Sequence, residues 1–416
     1  MIAISCSVFS ALTESDTIPH RRCNDMNQKE LSELKRRLNP DKRNPSVIRG
    51  CYLTGQGEVL TTFQKSVYSL PQEENEKYMS IFKRVLSGNF GQNLLPVDFS
   101  AQQVMEAQEY ALLSSLRESA LTDEEAVGQM WQQVAACIAA EHAHEAQSIN
   151  DAQNAANYLA LMLHDGYDVP YKDSNGEIDR ERSTAVFHYV LMAICPVKQG
   201  KDALCYQTVD QDFHNRPADW IVGMPESGFL FPAFEERTAN IYQAIYYTKS
   251  SGDPHEVFMQ NVFGVEPLMP AVQQKETFQA ILEETLAEEC SIGVMQTVHD
   301  TVSNLIEERK SDKNAQPLSL SKQDVKTMLE SCGVSEEKQV AFEEKYDQSF
   351  GAYSELPAVN MISPRQFQVE TASVSIKVDP AHSDLVQTRI IDGKCYIMVL
   401  ADDNVKVNGV CVKIRE

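Results

Sequence analysis

Asn157-Tyr-Leu-Ala-Leu-Met-Leu-His-Asp-Gly-Tyr167 and Val186-Phe-His-Tyr-Val-Leu-Met-Ala-Ile-Cys-Pro-Val197 are two strand-like apolar runs, parted by a polar stretch that contains Asp173-Ser174-Asn175-Gly176. Asp and Asn side chains bond their own backbone, and Gly takes positive φ at no steric cost, so this stretch marks a turn. The two runs are expected to pair in one sheet. Ala203 to Thr208, Trp220 to Met224, Phe229 to Phe234 and Ile241 to Thr248 supply further strands. Many short strands after a run of helices indicate an α+β fold, with helices on one face of a largely antiparallel sheet.

Working outward from the sheet, Leu31, Leu34 and Leu38 recur at helical spacing in a short basic segment. Val47 to Leu53 and Glu58 to Phe63 then read as a hairpin joined by Thr54-Gly55-Gln56-Gly57. Pro71, with Glu73, Glu74 and Glu76 behind it, opens a helix that runs through Leu86 and closes at Gly88. Helices over Ala101 to Ser119 and Asp123 to Ala143 follow, and Thr122 stands at capping-box distance from Glu125.

C-terminal to the sheet, Asp253-Pro254 combines a good N-cap with a good first helical residue. Helices are expected near His255 to Phe263, Ala271 to Glu289, Ile292 to Lys310, Lys322 to Cys332 and Glu336 to Phe350. Past Pro357, alternation returns, and Asp392-Gly393 and Asn408-Gly409 are strong hairpin signals. The expected organisation is a disordered extension over 1–25, an α+β domain over 26–252, a helical subdomain over 253–351 and a small C-terminal β-unit over 352–416.

The 416 residues carry 37 Lys and Arg against 60 Asp and Glu, a formal charge of −23. Such a field repels nucleic acid and anionic membrane over most of the surface, so contact with either must be local. A basic cluster, Lys29, Lys35, Arg36, Arg37, Lys42, Arg43 and Arg49, offers one such locality. No run approaches the roughly 18 apolar residues that span a bilayer, so no membrane partner is expected. The ten cysteines are scattered without a Cys-x-x-Cys pair and read as reduced core residues of a cytoplasmic protein.

His214 to Arg237 concentrates chemistry-bearing side chains in a stretch that fits neither helical nor simple strand periodicity. His214, Asp219 and Ser227 are the residue types of a hydrolase triad, but Ser227 lacks the Gly-x-Ser-x-Gly elbow. His164 and Asp165, near a strand end with Asp168, are further acid–base candidates. A hydrolase-like reading therefore rests on His164, Asp165, His214 and Asp219, while caps and ion pairs use the same residues. On the second view His214 to Arg237 is a joint between the sheet and the helical subdomain, with its Phe residues filling the interface. His142 and His144 lie two apart in a helix, where side chains diverge, so no metal site is expected. Gly88-Asn89-Phe90-Gly91 lacks the preceding strand and the Gly-Lys-Ser/Thr ending of a phosphate loop, and no cofactor is expected. The candidate nucleic-acid contacts are Lys35, Arg36, Arg37, Lys42 and Arg43.

Val47-Ile48-Arg49-Gly50-Cys51-Tyr52, His164-Asp165-Gly166-Tyr167-Asp168-Val169-Pro170, Ile194-Cys195-Pro196-Val197-Lys198, and His214-Asn215-Arg216 with Asp219-Trp220 resemble an uncharacterised bacterial family known only as a domain of unknown function. That likeness runs from about Met26 to the end and implies no activity. A more distant resemblance is to the 37-kilodalton nucleoid-associated proteins, cytoplasmic bacterial proteins found with the chromosome. It is carried by Val257-Phe258-Met259-Gln260-Asn261-Val262-Phe263-Gly264, the helices around Phe278 and Val298, Leu318-Ser319-Leu320, and Val374-Ser375-Ile376-Lys377-Val378. It implies no site residues.

Element order and the basic segment together favour a non-enzymatic accessory protein of DNA transactions. Such a protein would act in the cytoplasm or at the nucleoid by binding DNA or a nucleoid protein. The alternatives are the hydrolase-like enzyme and a homo-oligomeric scaffold built on exposed β-edges.

Overall fold

The computed structural model describes residues 26–42, 44–45, 47–145, 156–172, 178–216, 219–253, 256–312, 315–401, 405–407 and 410–412. The extension 1–25, Arg43, the turn at Asp173-Ser174-Asn175-Gly176, the helix start at Pro254 and the turn at Asn408-Gly409 lie outside them.

β1 (Val47–Leu53) and β2 (Val59–Ser66) form the expected hairpin, with Gly57 at φ +80° in the turn. β3 (Leu94–Asp98) is a strand that the sequence pattern did not reveal, because Pro96 interrupts its short apolar run. β4 (Asn157–Lys172) and β5 (Ile178–Gln199) pair antiparallel along nearly their whole length. β6 (Ala203–Gln207) and β7 (Asp212–Arg216) make a separate hairpin, and β8 (Trp220–Val222) adds to the end of β5. β9 (Ser227–Phe231) enters the sheet centre, β10 (Ala233–Glu235) and β11 (Thr238–Asn240) form a small hairpin, and β12 (Gln243–Thr248) returns. The main sheet runs β2-β1-β4-β5-β9-β12-β3 with antiparallel neighbours. The architecture is α+β.

Helices cover both faces of this sheet, not one. α1 (Gln28–Arg37) and α2 (Gln72–Val85) pack on the face carrying Leu161, Leu163, Tyr189, Leu191 and Leu230. α3 (Ala101–Glu106), α4 (Gln108–Glu118) and α5 (Glu124–Glu145) lie on the other, over Met162, Val190, Met192, Phe229 and Tyr246. The reason is legible in hindsight: β9 and β12 are buried at every position, and strands apolar on both sides need cover on both sides. The helix expected over Ala101 to Ser119 breaks at Ala107, whose backbone is extended. Asp123, not Thr122, caps α5, its Oδ1 accepting from the backbone N–H groups of Glu125 and Ala126.

Beyond the sheet, a helical turn at Glu256–Phe258 runs into a π-helical turn at Met259–Phe263, which packs into the second sheet core. α6 (Ala271–Leu286), α7 (Ile292–Ser311), α8 (Lys322–Ser331) and α9 (Glu336–Phe350) surround a third core of Phe278, Leu282, Val298, Val325, Phe342 and Tyr346. The Ser321–Asp324 capping box forms, and Gly333 takes φ +79° after α8. Leu356, Ala358, Met361 and Ile362 complete this core.

β13 (Ser319–Ser321) pairs with β14 (Glu355–Pro357), and the chain then folds into hairpins. These are β15 (Phe367–Glu370) with β16 (Ser375–Val378), β17 (Val386–Ile391) with β18 (Lys394–Val399), and β19 (Lys406–Val407) with β20 (Val410–Cys411). Asp392 and Gly393 both take positive φ, the geometry that an Asp-Gly hairpin turn favours. Cys51, Cys137 and Cys195 are core residues as expected, whereas Cys395 and Cys411 are exposed on these hairpins. No helix among the described residues is long and apolar enough to cross a membrane.

Candidate functional site

Successive residues of a strand face opposite ways, and β4 applies this rule to the first candidate pair. His164 shares its face with Met162 and lies under the influence of Arg117 in α4. It is 5% exposed, its ring stacks on His188 at 5.5 Å, and its Nε2 has no hydrogen-bond partner among the described residues. Burial drives its pKa down to about 4, helped by His188 and Arg117 and opposed by Asp165. At neutral pH it is an uncharged core ring.

Asp165 faces α1 instead. Arg37 grips it with two bonds, Nε to Oδ2 at 2.9 Å and Nη2 to Oδ1 at 2.8 Å, and the Tyr189 hydroxyl donates to Oδ2 at 3.0 Å. The Arg37 guanidinium also lies 4.6 Å over the Tyr167 ring. Tyr167 donates to Glu33 Oε1, and Arg237 binds both oxygens of Glu33 at 2.9 Å while donating to the Pro170 carbonyl. Complete burial, then the adjacent Asp165 carboxylate, hold the Tyr189 hydroxyl well above its ordinary range. These groups form a satisfied polar clasp that ties α1 and the β10–β11 turn to β4.

His214 and Asp219 lie elsewhere. His214 is exposed on β7, with Nε2 3.7 Å from Asp210, and Asp219 is exposed just before β8. The four hydrolase candidates therefore do not converge: two face opposite sides of one strand, and two are solvent-facing on other elements. The stretch His214 to Arg237 meets the start of the expected helical subdomain through Phe229, whose ring packs against Phe258 and Phe263. It passes from an outlying hairpin into the central strand β9, where Phe229 and Phe231 enter one sheet core and Leu230 the other.

The basic segment divides in the same way. Arg36 and Lys42 are exposed, Lys35 is half-buried, Arg37 is committed to Asp165, and Arg43 lies outside the described residues. Burial, and secondarily Arg84, lower the Lys35 pKa. Arg49 is buried against Glu124 and the Leu121 carbonyl. The His142 ring lies 5.5 Å from that of Tyr158, tilted by 60°, and no metal-holding group of His, Cys, Asp or Glu occurs among the described residues.

A further concavity takes in part of the Gly88-Asn89-Phe90-Gly91 turn, but most of its wall comes from residues not singled out in the sequence. A crevice of about 930 Å³ opens where the sheet half meets the helical half. Its walls are the Gly88–Gln92 turn, the start of α6, the end of α7 and residues 359–366. Among the described residues, four cations, Lys275, Arg309, Lys310 and Arg365, line it against one carboxylate, Asp312. Lys275 Nζ donates to Ser363 Oγ at 2.5 Å, Arg309 Nε to the Gln316 carbonyl, and Lys310 pairs with Glu307. Asn360, 1% exposed, bridges the two halves by donating to the Gly91 carbonyl at 2.7 Å and to Gln274 Oε1 at 2.9 Å. Its Oδ1 is buried at the crevice without a partner among the described residues. These residues come from segments far apart in the chain, so no local spacing could announce them.

A family model for a domain of unknown function, DUF4317, matches residues 26–410. The chain belongs to the DUF4317 family. No curated protein and no solved structure matches it. The nucleoid-associated resemblance gains no support from these comparisons. The cations of the crevice stand on a chain whose net charge is −23.

Proposed function

We propose that this DUF4317 protein acts by binding rather than by catalysis, as a cytoplasmic accessory protein that holds an anionic ligand in the crevice between its two halves. The observation that carries this is the gathering of Lys275, Arg309, Lys310 and Arg365 around one concavity on a chain of net charge −23. A cleft with low-dielectric walls focuses the field of such charges and concentrates ligands of opposite sign. Phosphates of DNA, or of a DNA-bound partner, are the form of ligand that the sequence reading favours. The catalytic alternative lacks comparable support, because His164, Asp165, His214 and Asp219 share no site.

Gel-shift titration with duplex and single-stranded DNA, from about 50 to about 200 mM salt, tests the nucleic-acid form. DNA as the ligand requires binding at low salt that weakens as salt rises and is lost when the four crevice cations become Gln. Arg36→Gln with Lys42→Gln should cost less. Absence of binding at the lowest salt would count against DNA as the ligand.

A second reading, self-association, is favoured by the C-terminal hairpins. Ile390 is 78% exposed and Leu400 69%, and an isolated two-stranded hairpin is marginal in water without cover. Light scattering over a concentration series decides it: a constant monomer mass removes the scaffold role.

A further inference from the structure

The crevice does not end at Lys275. A second cavity of about 520 Å³ shares Lys275, Ile362, Ser363 and Gln366 with it. The helices explain the continuity. On α6, Val272 and Lys275 border the crevice, while Lys275, Phe278, Gln279 and Leu282 border the second cavity, at the i, i+3, i+4, i+7 spacing of one helical face. α7 runs back alongside, with Ile292, Met295 and His299 at the second cavity and Ile306, Arg309 and Lys310 at the crevice. The segment over residues 359–370 lies along both.

One groove therefore follows the α6–α7 pair, and its two ends differ in chemistry. The crevice end is cationic, whereas the far end is lined mainly by apolar side chains, Phe278, Leu282, Met295, Val298 and Phe367 among them, with Gln279, Gln368 and Glu370 also on its wall. Lys275 stands at the boundary, hydrogen-bonded to Ser363 Oγ. His299 Nε2 lies 3.1 Å from the Ser363 carbonyl, which can only accept, so the ring donates there and helps fix the segment that carries Ser363. The stretch of wall formed by Phe278, Leu282, Met295 and Val298 gives water few partners and is better covered by an apolar group. Both volumes fall in the range of small-molecule sites, roughly 300 to 1,000 Å³. Arg309 and Lys310 also complement the C-terminal dipole of α7, but Lys275 sits in the second turn of α6, where no such effect applies.

We propose that this groove binds a small amphiphilic anion: a phosphate- or carboxylate-headed molecule whose alkyl chain lies between α6 and α7 with its head at Lys275. The proposal rests on the crevice being an anion site, and it makes the occupant a small amphiphile rather than a nucleic-acid strand.

Calorimetric titration of the full chain with inorganic phosphate and with hexyl, octyl and decyl phosphate, kept below their micelle concentrations, tests it, with octanol as the uncharged control. Affinity should rise roughly fourfold per added methylene, the gain expected for moving such a group out of water. Octanol should bind more weakly than octyl phosphate, and Lys275→Gln should weaken octyl phosphate by at least about tenfold. Met295→Trp, which fills the apolar end, should flatten the chain-length series while sparing inorganic phosphate. Phosphate and alkyl phosphates binding with equal affinity would overturn the amphiphile and leave the anion site standing. Octanol matching octyl phosphate, or no anion binding at all, would overturn both.

Discussion

His164 and Asp165 are adjacent in sequence yet carry opposite fates, because a strand sends neighbouring side chains into different cores. His164 is held neutral by burial, its pKa lowered from 6.5 to about 4. The unfolded chain therefore binds the proton more readily than the folded one between these two values. Its stabilising contribution is complete above about pH 6.5 and is lost as pH falls through about 4, a difference on the order of 3 kcal/mol. Replacing it by Leu should flatten that part of the stability curve in denaturant titrations at pH 7, 6, 5 and 4. Parallel curves for wild type and variant would show that the ring is not buried neutral. Asp165 is instead a buried charge that depends on Arg37. Arg37→Leu leaves it unpaired beside Tyr189, and unfolding free energy should drop by about 3 to 5 kcal/mol. A nearly neutral effect in the same titration would mean that the ion pair contributes little.

At the scale of elements, two glycines in the sheet look alike in sequence and differ in consequence. A Cβ on Gly228 in β9 would lie 2.2 Å from the Met192 carbonyl oxygen, a backbone atom of the neighbouring strand that cannot move alone. A Cβ on Gly50 in β1 would meet the end of the Phe63 ring, which sits directly opposite on the edge strand β2 and can swing toward solvent. Gly228→Ala should cost about 1 to 3 kcal/mol or more in thermal or denaturant unfolding, and Gly50→Ala clearly less. Equal losses would contradict this reading of the sheet.

The sequence already showed the elements whose causes are local: the β1–β2 turn, the Ser321–Asp324 cap, the Asp392-Gly393 turn and the long β4 and β5 runs. It did not show β3, whose Pro96 hides a strand at the edge of the sheet, nor that both sheet faces carry helices. Those depend on partners distant in the chain. The site was less legible still. His164, Asp165, His214 and Asp219 attracted notice by residue type, and Arg37 by its place in a basic run. Position decided against the four acting together and gave Arg37 to Asp165. Lys275, Ser363 and Asn360 looked ordinary in sequence and matter only because folding brings them to one crevice.

The whole molecule is a two-sided sheet joined to a helical half, with hairpins beyond, and its charge is distributed unevenly. Among the described residues the crevice is lined by four cations and one carboxylate on a chain of net charge −23, and the proposed binding role rests on that contrast. The most direct measurement is the affinity for a phosphate-bearing probe, octyl phosphate, in wild type and in the variant with Lys275, Arg309, Lys310 and Arg365 all changed to Gln, with folding of both confirmed by matching unfolding curves. The account predicts saturable binding to the wild type that weakens with added salt and is abolished in the variant. Equal binding to both proteins, or none to either, would contradict it.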